Sequence, residues 1–262
     1  MFDLLNPNFA LVEFITFIFI LIRVSAIIVF APVFGSQAIP AQIKIALSLI
    51  FSLAIYPIAK QYITITNYNI WFLTLVIIKE IIFGAALAFT VHLIWAGVEF
   101  GAQLMGFMMG FSIANVLSPQ ENVQISILSE FMSIFVILIF LAINGHYIFI
   151  KAITGSFQTM PIGGFIINKS VIGIINQLVS VMFELSFKVL APAIVALIIT
   201  NVVFGIIART MPQVNIIIVA FPLSIGLGLF VLGLSLSYSS YVLVDYYNSV
   251  IRYIHALMAG VV

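Results

Sequence analysis

The sequence predicts an all-α, polytopic membrane protein of about six apolar helical regions arranged as helical hairpins, several of them broken by proline or glycine. Three observations lead there. Of the 262 residues, 64% are hydrophobic and only 6% are charged, whereas a soluble domain carries about 25% charged residues. The mean hydropathy of +1.33 means that the chain cannot clothe itself in polar surface, so its solvent is lipid or other apolar protein. The apolar runs are also continuous rather than alternating, which argues against a transmembrane β-barrel with its alternating strands of about 10 residues. At about 20 residues per span, the chain has room for roughly five to seven. It reads as a single membrane-embedded domain over residues 1–262.

The elements follow from the stretches between charges and breakers. Residues 9–31 form the first apolar region, ended by Pro32. Its start lacks the basic opening of a signal peptide, because Asp3 and Glu13 come before Arg23, so this helix is expected to stay as a span or signal anchor. A loop with Pro32, Gly35 and Pro40 leads to the second region, residues 41–59, interrupted by Pro57. The third runs from 70 to about 97 and the fourth from about 125 to 143, where Asn144-Gly145 ends it. A polar connector with Lys151, Pro161, Gly163, Gly164 and Lys169 follows. Residues 171–207 are helical in character but too long for one simple span, and Pro192 predicts a kink or break. The last region, 214–244, carries Pro222, Gly226, Gly228 and Gly233 as expected points of bending. Tyr238, Tyr241, Tyr246, Tyr247 and Tyr253 gather near its end, and tyrosine favours the membrane–water interface. The few basic residues are scattered over several loops, so positive-inside reasoning does not fix the orientation.

Function classes can be narrowed next. A net charge of +1 gives no field for nucleic acid, and without cysteine there are neither disulfides nor thiolate metal sites. His92, His146 and His255 stand alone, outside any HExxH or clustered-ligand pattern, and read as packing or cap residues. No Walker A, Rossmann or G-x-S-x-G motif is present, so neither catalysis nor a cofactor is expected.

Two sets of residues remain. Ionisable groups stand inside apolar regions: Arg23, Lys79, Glu80, Glu184 and Lys188, with Glu99 and Glu130 near span ends and Arg209 between the last two regions. A charge at mid-bilayer costs at least about 2.5–3.5 kcal/mol, so each needs a partner or water. Glu184 and Lys188 share a helix face at i,i+4, whereas Lys79 and Glu80 point to different sides and each needs a partner on another helix. Two readings compete, a polar pathway or proton relay against pairing that fixes assembly, and the sequence favours the second because no carboxylates recur along one helix.

The second set lies in residues 97–119. Gly97 with Gly101, and Gly106 with Gly110, are small-xxx-small pairs that permit close helix packing. Outside such packing each glycine costs about 1 kcal/mol relative to alanine in a helix, so the segment is expected to unwind readily. Met105, Phe107, Met108, Met109 and Phe111 lie among them, with Pro119 beyond. A glycine-hinged tip of Met and Phe suits a hydrophobic pore plug, since methionine is flexible and fills irregular gaps. An ordinary tightly packed helix pair is the alternative, and composition by itself favours it.

Several segments, taken in order, resemble the FliR family of flagellar and injectisome export-gate proteins. They are Arg23, then Pro32-Val33-Phe34-Gly35-Ser36, Ile39-Pro40 and Lys44; Lys79-Glu80-Ile81-Ile82-Phe83-Gly84; residues 101–119; residues 201–205 with Ala208-Arg209-Thr210-Met211-Pro212-Gln213-Val214-Asn215; and Phe221-Pro222-Leu223. Ser118 departs from the acid often found before the proline at 119. The resemblance implies one copy of a subunit, like a fusion of a FliP-like and a FliQ-like half, in an export gate at the flagellar basal body of the bacterial inner membrane. Implied partners are FliP-like, FliQ-like, FlhB-like and FlhA-like proteins, the lipid bilayer and unfolded export substrates. By similarity, residues 106–119 match the loop that plugs the closed channel, which shifts the balance to the plug reading. A small-solute secondary transporter is the alternative function; it needs a polar midplane site and usually an internal repeat, and neither is clear. A membrane-embedded enzyme would need clustered His or acidic residues, which are missing.

Overall fold

The computed structural model describes residues 7–36, 38–63, 69–111, 127–213 and 215–259. All regular structure among them is helical. The order is α1 (Pro7–Phe30), α2 (Ala41–Ala59) with a closing 3-10 turn (Lys60–Tyr62), α3 (Ile70–Met109), α4 (Ile127–Ala142), α5 (Gly145–Thr159), α6 (Lys169–Thr210) and α7 (Ile216–Ala259). Five helices are long and apolar enough to cross a membrane, and α4 with α5 makes a sixth if the pair is one broken span.

The helices outrun the regions expected from hydropathy. At 40, 42 and 44 residues, α3, α6 and α7 each hold about twice the roughly 20 residues that one span needs. The third region does not end near 97, nor does the glycine-rich stretch unwind there: helix continues through Gly97, Gly101 and Gly106 to Met109. The polar connector after Gly145 contains a helix of its own, α5. Pro57, Pro192 and Pro222 lie inside helices rather than ending them. Apolar helices tolerate proline where neighbours re-satisfy the freed carbonyls. The carbonyl that Pro192 frees is that of Lys188; next to it, Ser239 on α7 donates its hydroxyl to the Val189 carbonyl at 2.8 Å and ties α7 to this turn. At the joint of α4 and α5, Asn144 sits at φ 56, a left-handed backbone that asparagine tolerates better than most residues.

The chain packs as two compact units. The first comprises Met1–Leu93, Asn144–Leu178 and Ser249–Val262; the second comprises Ile94–Ile143 and Val179–Asn248. In the first, α1 and α2 lie together, with Phe17 and Tyr56 in edge contact at 6.0 Å and Lys60 paired to Glu13 at 3.2 Å. α1 and α3 approach closely because Gly84 has no side chain; a Cβ there would stand 2.8 Å from the Ala26 methyl and 3.0 Å from the Arg23 carbonyl oxygen. In the second unit, α3 and α6 meet through another glycine pair. A Cβ on Gly97 would lie 2.7 Å from the Met182 carbonyl oxygen, and one on Gly101 would collide with the Ser186 carbonyl. These two glycines are a helix-packing device of the small-xxx-small kind. Gly101→Val is expected to destabilise the protein by about 1–3 kcal/mol, the usual cost of overpacking, because rigid backbone is what the new side chain meets. Thermal unfolding of the purified protein in detergent measures it.

Much apolar surface stays uncovered by the chain itself. Only 17% of the apolar stretch of α2 is buried within the protein, and Trp71, Leu234, Phe230 and Ile218 are largely exposed. Surface of this extent requires lipid or other apolar protein. The tyrosine group near the end of α7 divides: Tyr238 and Tyr241 are exposed, whereas Tyr246 and Tyr247 are buried and so are packing residues within the fold.

Candidate functional site

In the first unit, Arg23 on α1 and Glu80 on α3 are both completely buried. Their ion pair is bidentate: Nε donates to Oε2 at 2.5 Å and Nη2 to Oε1 at 3.1 Å. The remaining Arg23 terminal nitrogen, Nη1, reaches past α3 to the last turn of α5 and the residue after it, donating to the carbonyls of Ser156 at 2.9 Å and Met160 at 3.1 Å. Aromatic rings flank the guanidinium, with Phe157 4.4 Å and Phe83 4.9 Å from its central carbon. The group is thus buried with its hydrogen bonds made, the condition under which an interior charge is tolerable. Arginine suits this place because its planar fork matches a carboxylate and stacks on rings, which a lysine ammonium cannot do.

The loop after α5 completes the network. Gly163 donates its backbone N–H to Glu80 Oε1 at 2.8 Å, while its carbonyl accepts from Lys79 Nζ at 3.1 Å. The sequence reading gave Lys79 and Glu80 each a partner on another helix. Glu80 has one in Arg23 of α1, whereas Lys79 meets a loop carbonyl instead, so that both side chains converge on one turn residue. Gly163 has φ +74, and a Cβ on it would come within 3.0 Å of Val76, so the turn requires glycine. Four chain segments (α1, α3, α5 and the loop) are therefore tied at one buried point.

In the second unit, Glu184 and Lys188 pair along α6 at 2.5 Å, each side chain 52% exposed. Lys188 also lies 5.8 Å from the Tyr246 ring on α7. Arg209, at the end of α6, is exposed and makes no ion pair among the described residues. The charged residues named from sequence thus give one buried network and one exposed pair; Arg209, the half-buried Glu99 and the exposed Glu130 belong to neither.

The end of α3 is built as a glycine-terminated cap. Gly110 N–H donates to the Phe107 carbonyl at 3.0 Å and Phe111 N–H to the Gly106 carbonyl at 3.1 Å. With Gly110 at φ +89, this is the Schellman arrangement, in which a left-handed residue turns the chain away and satisfies the last carbonyls. Asn201 on α6 reaches the Met108 carbonyl at 3.4 Å. Met109 is fully buried against α7, where a Cβ on Gly228 would stand 2.9 Å from its terminal methyl. A Cβ on Gly110 would collide with the Phe221 ring. Phe107, by contrast, is 69% exposed. Phe111 lines a hydrocarbon cavity of about 290 Å³ with Leu128, Phe131, Leu229 and Leu232. One buried methionine thus anchors the tip, and one exposed phenylalanine projects from it. Pro119 lies outside the described residues.

Sequence reasoning missed Ser156 and Met160, whose backbone carbonyls carry no residue-type signal; it named Gly163, Phe221 and Gly228 but not their contacts. Gly84 was visible as the end of the Lys79-Glu80 motif, and the structure supplies its physical reason, the close passage of α1.

The sequence matches the family described as bacterial export proteins, family 1, over residues 14–250, a stretch that includes the charge network and the capped end of α3. The flagellar biosynthetic protein FliR of Escherichia coli (strain K12) is 28% identical over 211 residues, covering 80% of this chain and 79% of that protein. FliR of Bacillus subtilis (strain 168) is 27% identical over 249 residues, covering 94% and 95%. FliR of Aquifex aeolicus (strain VF5) is 27% identical over 222 residues, covering 85% of each. The chain belongs to the bacterial export proteins, family 1, the FliR family.

Proposed function

We propose that the chain is a subunit of the flagellar protein-export gate in the bacterial inner membrane, and that the capped end of α3 helps to seal the passage for unfolded substrates at rest. The observation that carries this reading is the family match over residues 14–250. The protein is a membrane-embedded component of the flagellar export apparatus, and the small-solute transporter is not supported. It works with other export-apparatus proteins as a structural component; FliP-like and FliQ-like subunits are its expected neighbours in the gate, with FlhB-like and FlhA-like proteins around them in the basal body.

The two loci suit two tasks in that setting. The Arg23–Glu80–Gly163 network is buried within the first unit and holds it in one geometry, so its part is to keep the subunit in shape for assembly. Lys79 serves the same turn. At the end of α3, Gly110 lets the chain turn sharply, Met109 anchors it, and Phe107, Met108 and Phe111 offer apolar surface that excludes water without specific bonds. A seal of that kind opens without breaking hydrogen bonds to the substrate.

Co-expression tests the assembly part. The chain is expected to co-purify in detergent with its FliP-like and FliQ-like partners, and cells without it are expected to stop exporting flagellar subunits. Export continuing at the normal rate without the chain would refute the reading.

A further inference from the structure

The α1–α2 hairpin carries two cations in different settings. Lys60, just past the end of α2, pairs with Glu13. Lys44, one turn into α2, makes no ion pair among the described residues. Its half-buried side chain donates instead to the Gly35 carbonyl at 2.8 Å. An ammonium has three N–H donors, so a positive charge and two donors are left over.

Both α1 and α2 are long and apolar enough to cross a membrane. The loop that joins them therefore lies at one face of the bilayer. Lys44 lies at headgroup depth, because one turn of helix rises only about 5.4 Å. Two apolar grooves open at this point. One, of about 380 Å³, runs between the helices from Val29 and Lys44 at the loop end to Leu21 and Leu49 at the deep end, a length of about 12 Å at 1.5 Å per residue. The other, of about 550 Å³, lies between the end of α1 and α3, with Phe30 on one side and Phe89 on the other. Val29 lines both grooves, and Gly35, which holds Lys44, lines the second. Of the five long apolar helices, α2 is also the one the chain itself covers least.

Water would satisfy Lys44 but keep both grooves hydrated. Hydrocarbon would fill the grooves but leave the charge without a partner. A phospholipid with an anionic headgroup brings phosphate oxygens and two hydrocarbon chains in one molecule, and basic pockets between membrane helices take such head groups. We propose that this end of the hairpin binds one anionic phospholipid of the surrounding bilayer, its phosphate on Lys44 and one acyl chain in each groove.

The full chain, purified in detergent and mixed with phosphatidylglycerol or with phosphatidylcholine of the same acyl chains, tests this by native mass spectrometry. One phosphatidylglycerol is expected to be retained about five-fold better than phosphatidylcholine, the preference that one lysine at a membrane surface confers. Lys44→Gln should bring the two lipids level, whereas Lys44→Arg should keep the preference. Because Lys44→Gln also disturbs the bond to Gly35, a second variant leaves that bond alone: Ser25→Leu narrows the α1–α2 groove and should lower retention of phosphatidylglycerol. Equal retention of both lipids by the native chain, the result expected if a partner helix fills the grooves, would overturn the proposal. So would a preference that survives Lys44→Gln, full retention in Ser25→Leu, or displacement of the lipid by inorganic phosphate, which would assign Lys44 to free phosphate instead. None of these results touches the export-gate reading, since the site belongs to the chain alone.

Discussion

Replacing Arg23 by alanine is expected to destabilise the protein by about 3–5 kcal/mol, the usual result of removing one partner from a buried ion pair. That is a large part of the roughly 5–15 kcal/mol that holds a typical domain together, so the variant should accumulate poorly in the membrane. The cost has three sources. Glu80 remains fully buried without its counter-charge. The carbonyl of Met160 loses its donor. The space between Phe83 and Phe157 is left empty. Arg23→Lys keeps the charge but not the fork, and should fall between the two. The double variant Arg23→Met with Glu80→Met is expected to recover much of the loss, because a buried pair is worth little more than apolar residues of similar volume. Recovery should be incomplete, since Gly163 N–H then lacks its acceptor. Thermal unfolding in detergent checks all three. If the alanine variant unfolded at the same temperature as the native protein, the network would not be a structural tie.

Gly110→Val is expected to cost about 2–4 kcal/mol and to damage the end of α3 specifically. Two penalties add: a β-branched residue is strained at φ +89, and its side chain meets the Phe221 ring with the usual cost of overpacking. Gly110→Ala should show the backbone part and less of the packing part. Because Phe111 N–H and Gly110 N–H both cap carbonyls of the last turn, breaking the turn should also release Phe107 from its place. Limited proteolysis near residues 106–111, together with unfolding temperature, would register the change. Unaltered cleavage with unaltered stability would show that the cap is not needed.

The class of fold was legible because composition and continuous apolar runs report the solvent directly, and neither depends on packing. The second region, residues 41–59, has the bounds of α2 because polar or breaking residues flank it. Hydropathy failed where everything is apolar. It could not place the end of α3, since helix through residues 97–109 depends on whether a neighbour approaches close enough to make use of Gly97 and Gly101, and the carbonyls of Met182 and Ser186 do. Nor could it see that helix continues through Pro192. Helix α5 was hidden by its polar residues, Lys151, Thr154, Ser156 and Gln158.

The charges divide in the same way. The Glu184–Lys188 spacing is local and could be read from i,i+4 geometry. The bond between Arg23 and Glu80 joins residues 57 positions apart, and two of the arginine's four hydrogen bonds go to backbone carbonyls, which every residue possesses. Burial of one charge set and exposure of the other is a property of packing. The difference gives Arg23 and Glu80 a role inside the subunit and turns Glu184 and Lys188 outward.

The most direct test of the account is ion leakage through the assembled gate when the tip of α3 is changed. Cells making the native complex should hold ions back, whereas cells making a complex with Phe107, Met108 and Met109 deleted, in equal amount, should leak ions and export substrate at an altered rate. Leakage and export both identical to the native complex would contradict the claim that this helix end is the seal.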